Sequence, residues 1–356
     1  MTAVAAPRPL ARTVRRTFPL FTALGFAVLA SFVLGVGRGA VPISPSAVLG
    51  ILGDRLLGLD FGFDFAEQQD LVLWTIRLPR VLLSLGIGAA LGLSGAALQG
   101  IFRNPLADPT LIGVSAGAAV GAVGSIVLGF TALGIWSTPI AAFVGALMTT
   151  GTVFTLAYRN GRVEVLTLVL CGVGVNALAF AAVGLLTSIA TDSQLRNVSF
   201  WQLGSVGGAT WEFVAAAAPF IGLGLVLLPR FARQLDLFVL GEREARHLGV
   251  NVERTRLLVV VLASLAAGAG VAVAGVLSFV GLVVPHVVRL VHGPGHRVLL
   301  PASALGGAAV LTFADLVART AAVPREIPLG VVTAIIGAPV FLVLLRRTQR
   351  RDGGFA

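Results

Sequence analysis

Long apolar runs dominate the chain, each about 20 residues and each closed by a polar, glycine or proline break. The runs predict helices near 19–37, 81–101, 111–129, 133–157, 164–186, 213–229, 256–276, 277–290, 298–316 and 328–346. That makes ten, with the division inside 256–290 the least sharply marked. A run of this length crosses a ~30 Å hydrocarbon layer as a helix. One stretch breaks the pattern. Residues 240–250, Leu-Gly-Glu-Arg-Glu-Ala-Arg-His-Leu-Gly-Val, form a charged, helix-capable island between two apolar runs. A short amphipathic helix held between two spans suits a groove on another protein.

Composition agrees with a membrane protein. Hydrophobic residues are 56% of 356 and charged residues 12%, too few charges to keep a soluble chain dispersed. The 44 glycines suit close helix packing in lipid. The first run is too long for a cleaved signal peptide and lacks a small-residue cleavage site.

All 26 basic residues are arginine. Without a lysine the chain holds no P-loop, so any ATP hydrolysis belongs to another chain. The net charge of +10 follows topology rather than nucleic-acid binding. With the N-terminus inside and ten spans, 19 arginines fall on the cytoplasmic side and seven outside. This sets the orientation: a cytoplasmic N-terminal tail at 1–18, a transmembrane domain at 19–346 with a coupling segment at 236–252, and a cytoplasmic C-terminal tail at 347–356. The loop after the first span is acidic, with Asp54, Asp60, Asp64, Glu67 and Asp70.

Cys171 is the only cysteine, which excludes an internal disulfide and a cysteine metal site. His286, His292 and His296 lie close in sequence, beside a turn at Gly293-Pro294-Gly295. A metal site is the sharper reading of them and a polar helix end the plainer one; we expect no metal and no catalytic residue. A weak repeat at an offset of 180 residues pairs Leu85, Gly88, Ala89, Gly95, Pro105 and Gly113 with Leu265, Gly268, Ala269, Gly275, Pro285 and Gly293. Five intervening spans make the copies antiparallel, and inverted repeats are a transporter signature.

The motifs point further. They are Arg77-Leu78-Pro79-Arg80, Ser94-Gly95, Gln99, Arg103-Asn104-Pro105-Leu106-Ala107-Asp108-Pro109 and Leu111-Ile112-Gly113-Val114-Ser115-Ala116-Gly117-Ala118. Leu240-Gly241-Glu242, Leu248-Gly249-Val250, Phe279-Val280-Gly281-Leu282-Val283-Val284-Pro285-His286, His296-Arg297-Val298-Leu299-Leu300-Pro301, Ala314-Asp315, Ala318-Arg319 and Glu326-Ile327-Pro328-Leu329-Gly330 follow in order. From about residue 70 to 346 the chain closely resembles the membrane permease subunits of type II ABC importers for iron-siderophores, haem and cobalamin. The resemblance implies an all-α membrane fold of about ten transmembrane helices with an inverted repeat. It implies a second permease subunit, identical or a sibling, and two cytoplasmic ABC ATPase subunits carrying ATP and magnesium. It also implies an external binding protein, periplasmic or a lipoprotein. The place is the bacterial cytoplasmic membrane, with no nucleic-acid partner and no cofactor on this chain.

Site residues follow from the same resemblance. Leu240, Gly241, Glu242, Arg243, Ala245, Arg246, Leu248 and Gly249 match the coupling helix that docks on the ATPase. Arg77, Arg80 and Arg319 match positions that contact the binding protein; the alternatives are helix-end anchoring for Arg77 and Arg80 and an internal pair with Asp315 for Arg319. Arg325 is a further outward candidate. Asn104 and Leu106 match an inner gate, or else form a plain turn, and Glu164 loosely matches its companion. Asn176 lines the pathway or bonds a neighbouring helix. An ion-coupled secondary transporter would keep ionisable groups at mid-membrane, and spans two to eight have few. A membrane enzyme would need a clustered constellation that is lacking. The substrate expectation is an iron(III)-siderophore, with haem or cobalamin as alternatives.

Overall fold

The computed structural model describes residues 10–159 and 162–351, so the ends of both expected tails, 1–9 and 352–356, lie outside the described residues. Among the described residues fifteen α-helices run in the order α1 (Leu10–Gly37), α2 (Pro45–Leu57), α3 (Glu67–Leu71), α4 (Leu78–Phe102), α5 (Val114–Val127), α6 (Ser137–Ala157), α7 (Val165–Ser188), α8 (Asp192–Leu203), α9 (Trp211–Leu227), α10 (Ala232–Phe238), α11 (Glu242–His247), α12 (Val252–Ala274), α13 (Val280–His292), α14 (His296–Thr320) and α15 (Leu329–Arg351). A π turn at Val72–Arg77 joins α3 to α4. Among the described residues one short antiparallel hairpin, β1 (Tyr158–Arg159) with β2 (Arg162–Val163), interrupts the all-helical pattern.

Seven helical stretches are long and apolar enough to cross a membrane, and three shorter apolar helices, Val114–Val127, Val280–His292 and Leu329–Val343, complete the expected ten. The division inside 256–290 falls at the non-helical residues 275–279.

Helices α4, α12 and α14 form the core, and glycine decides how closely they approach. A Cβ on Gly88 would lie 2.2 Å from the carbonyl oxygen of Gly307, and one on Gly95 would lie 1.8 Å from that of Gly281. Arg80 meets Asp315 at the other end of the α4/α14 contact, so the two helices run antiparallel. Ser94 Oγ donates to Ala263 O while Ile87 packs on Gly270, which makes α12 antiparallel to α4 as well. Outer helices α1, α6, α7 and α9 leave most of their apolar surface to lipid or to a partner.

The repeat is visible in the backbone, at a shorter spacing than the sequence matches suggest. Arg103 (φ 48°) closes α4 and Gly113 (φ 89°) opens α5; Gly275 (φ 73°) closes α12 and Phe279 (φ 69°) opens α13. Each long helix thus ends on a left-handed residue, runs through irregular backbone, and restarts on a second left-handed residue. Pro105 lies in the first break, but Pro285 sits inside α13 and its helix continues through it, so the two prolines that the sequence repeat pairs do not mark matched breaks. A proline in a helix leaves the carbonyl four residues earlier without its N–H donor. Here that carbonyl, Gly281 O, accepts instead from Gln99 Nε2 of α4 at 3.3 Å.

Helices outside the predicted spans include α2 and α8. The acidic loop after α1 folds in part into α2, with Ser44 as N-cap, Pro45 at the first turn and a left-handed Gly58 at its end. Its Ala47, Val48 and Ile51 pack with Val36, Leu73 and Val81. Helix α8 opens on a Thr191/Gln194 capping box.

Candidate pathway, coupling and docking sites

The segment 103–113 is irregular backbone reaching into the bundle. Asn176 stands about 18 Å along α7 from Glu164 at 1.5 Å per residue, and its Nδ2 donates to Thr110 O at 3.0 Å. So the 109–112 turn lies near mid-membrane. Such backbone survives in lipid only when its polar groups are satisfied inside the protein. Here Asn104 Oδ1 accepts from Leu106 N at 2.9 Å, Asp108 Oδ1 from Thr110 N at 3.0 Å, and Asn104 O from Ala107 N at 3.1 Å. Asn104 is exposed and Leu106 is 39% exposed, an apolar residue at the tip. Glu164 is exposed at the foot of α7 and accepts from Thr167 Oγ1. Asn176 therefore anchors the irregular segment, while α7 presents Leu166, Leu170, Val173 and Leu178 outward.

The island folds as the short helix α11, entered through Gly241 at φ 121°. The expected coupling residues divide between two faces. Ala245 is fully buried, and Glu242 is bound by Arg256 and lies 3.8 Å from Arg246, so these two do not offer a free docking surface. Leu240 and Leu248 are exposed, as are Arg243, Arg246 and Gly249. Beside them a cleft is lined by Phe231, Arg233, Leu237, Val250 and Arg254. The outward surface is thus apolar residues ringed by arginine.

At the opposite end the three expected docking arginines are not on the surface. Arg80 grips Asp315 through Nε and Nη2 at 2.9–3.1 Å and Glu326 through Nη1 and Nη2 at 2.8–3.0 Å. Arg77 donates to the carbonyls of Val36, Gly37 and Val41, closing the end of α1. Arg319 donates to Gly35 O, with its Nε 3.9 Å from Asp315. Helix-end guanidiniums in a close-packed outer rim find carbonyls and carboxylates of their own chain before they find a partner. Among the described residues, Arg38, Arg55, Arg196 and Arg325 are exposed at this end, and Arg55 is paired with Asp70.

The histidines go separate ways. His292 pairs with Thr17 Oγ1 at 2.8 Å, and His296 Nδ1 meets Asp236 Oδ1 at 2.7 Å. The second contact ties α14 to α10. Gln99, which bonds the α13 carbonyls, also accepts from Arg289 Nη1 at 3.0 Å. This cross-tie was missed in the sequence, where the only signal was a lone glutamine in an apolar run.

A multi-span bundle with irregular backbone held inside it at two points, and a charged helix displayed at one end, is the build of an importer permease. The profile of the FecCD transport family matches residues 27–347, and the chain belongs to that family. It is 46% identical to the cobalamin import system permease protein BtuC of Halobacterium salinarum over 81% of this chain and 77% of that one. To the hemin transport system permease protein HmuU of Yersinia pestis it is 42% identical over 93% and 97%. A solved ABC transporter assigned to the metal-chelate type, in an inward-facing conformation, superposes with a TM-score of 0.81 at 33% identity, covering 92% of this chain and 99% of that one. The chain is a multi-span permease of the ABC importer class, a transport subunit.

Proposed function

We propose that this chain forms half of the pathway by which a bulky metal chelate crosses the bacterial cytoplasmic membrane, driven by ATP hydrolysed on a separate chain. The observation that carries the reading is the irregular 103–113 segment held at mid-membrane beside the outward-facing apolar side of α7. A second permease subunit facing that side would complete a bland apolar path, and Leu106 and Asn104 would stand at its inner rim. Both termini face the cytoplasm. Two ATPase subunits, with their ATP and magnesium, dock on Leu240, Arg243, Arg246 and Leu248, and no cofactor is held by this chain. An external binding protein delivers cargo to the outer face, where Arg38, Arg196 and Arg325 are the charges free to meet it.

The iron(III)-siderophore expectation and the corrinoid or haem alternatives share one chemistry, a large chelated metal. The relatives named for cobalamin and hemin support the macrocyclic members of that class. Cells lacking this chain, offered radiolabelled iron-siderophore, haem and cobalamin in turn, decide among them. Loss of one uptake, restored by the chain, assigns the cargo. Unchanged uptake of all three overturns the chelate reading.

A further inference from the structure

Arg256, near the start of α12, is completely buried, and two of its three side-chain partners lie on other elements. Its Nη2 donates to Glu242 Oε1 at the entry of α11. Its Nη1 donates to Glu253 Oε2 at 3.3 Å and to the backbone carbonyl of Val163. Glu253 Oε2 in turn accepts from Val163 N at 3.2 Å. A Glu–Arg pair on α12 therefore holds both polar groups of the Val163 peptide, as a neighbouring strand would. Val163 ends the 158–163 hairpin, and Glu164 follows as the N-cap of α7. One guanidinium joins the exposed helix α11 to the foot of α7.

The fork of a guanidinium is rigid, and burial removes the screening that lets surface pairs drift apart. When α11 moves, Glu242 must carry Arg256 with it or break a charge-assisted bond. When Arg256 moves, it must carry the Val163 peptide. We propose that Arg256 is the positioning residue that transmits displacement of α11 to the inner end of α7, with Glu242 as its input and Val163 as its output. The inference rests on the importer reading above. Glu253 is its partner on α12, and its other two bonds reach α11 and the foot of α7.

The test uses the complete transporter in proteoliposomes: permease, ATPase and binding protein, with the cargo assigned by the uptake panel. Arg256→Lys, Arg256→Gln and Glu242→Gln are compared for ATP hydrolysis, cargo uptake and the distance between spin labels placed at Leu166→Cys in a Cys171→Ala background. Arg256→Gln is expected to bind the ATPase and hydrolyse ATP near the parent rate. Its uptake should fall about ten-fold, the scale of one charge-assisted hydrogen bond, and the nucleotide-dependent change at residue 166 should vanish. Arg256→Lys, which keeps the charge without the fork, should recover part of both. Uptake and hydrolysis falling in proportion, or a label that still moves with nucleotide, would overturn the proposal. If Arg256→Gln does not fold, Glu242→Gln carries the test alone, and full coupling there overturns it. Absence of ATP-driven uptake in the parent complex would instead sink the importer reading.

Discussion

Arg80→Ala would leave the Asp315 carboxylate, 1% exposed, facing only the Nε of Arg319 at 3.9 Å. Removing one partner of a buried ion pair costs about 3–5 kcal/mol, because the other charge stays desolvated. The Glu326 arm adds no more than ~1 kcal/mol, since that carboxylate is 48% exposed and screened by water. At roughly 2 °C per kcal/mol for a chain of this size, the purified permease should melt about 6–10 °C lower. Combining Arg80→Ala with Asp315→Ala should recover part of the loss, because the buried carboxylate is removed with its main partner, while Arg319 keeps only the Gly35 carbonyl. The assay is the fraction of monodisperse protein after graded heating, run beside binding-protein capture. The reasoning is refuted if Arg80→Ala keeps the parent melting temperature and loses only capture. Arg80 would then be a docking residue, as the sequence first suggested, and not an internal strut.

Gly95→Ala should all but abolish folded permease, because its Cβ would lie 1.8 Å from Gly281 O on another backbone; detergent-extracted yield reads this, with Gly151→Ala, where nothing lies near, as control. Leu240→Ala with Leu248→Ala should lower ATPase co-purification while membrane insertion stays normal, whereas undiminished co-purification would move the docking face elsewhere. Cysteines at Asn104 or Leu106, in a Cys171→Ala background, should react with cytoplasmic thiol reagents in a nucleotide-dependent way. Constant labelling across apo, ATP-bound and post-hydrolysis states would make 103–113 an ordinary turn. Reversing Arg38, Arg196 and Arg325 to glutamate should weaken capture of the binding protein, more at low salt than at high, since exposed charges are screened over about 8–10 Å at physiological ionic strength.

Hydropathy made the ten apolar helices legible, seven of them long enough to cross an apolar layer of about 30 Å and three shorter. It could not show α2, whose apolar face is only a few residues wide and is specified by Ser44, Pro45 and Gly58. The motif residues were also legible, but not the direction in which they point. Arg77, Arg80 and Arg319 looked like surface charges since arginine at a helix end normally reaches water. The partners of Arg77 and Arg80, the carbonyls of Val36, Gly37 and Val41 and the carboxylates of Asp315 and Glu326, lie on other elements that only the fold brings near, whereas the Asp315 partner of Arg319 sits one turn earlier on the same helix and was legible. The same holds for Glu242, which reads as an exposed helix-start acid until Arg256 is seen behind it. Pro285 misled for a different reason. A proline inside a helix orphans one carbonyl, and here Gln99 supplies that carbonyl with a donor while α13 continues.

The central claim is that this chain moves its cargo by ATP-driven rearrangement and not by an ion gradient. Proteoliposomes holding the permease with its ATPase and binding protein measure this directly, through accumulation of labelled metal chelate with ATP supplied on the ATPase side. The account predicts accumulation that requires ATP hydrolysis and persists when ionophores collapse proton and sodium gradients. Accumulation by the permease alone, driven by an imposed gradient without ATPase or ATP, would contradict it.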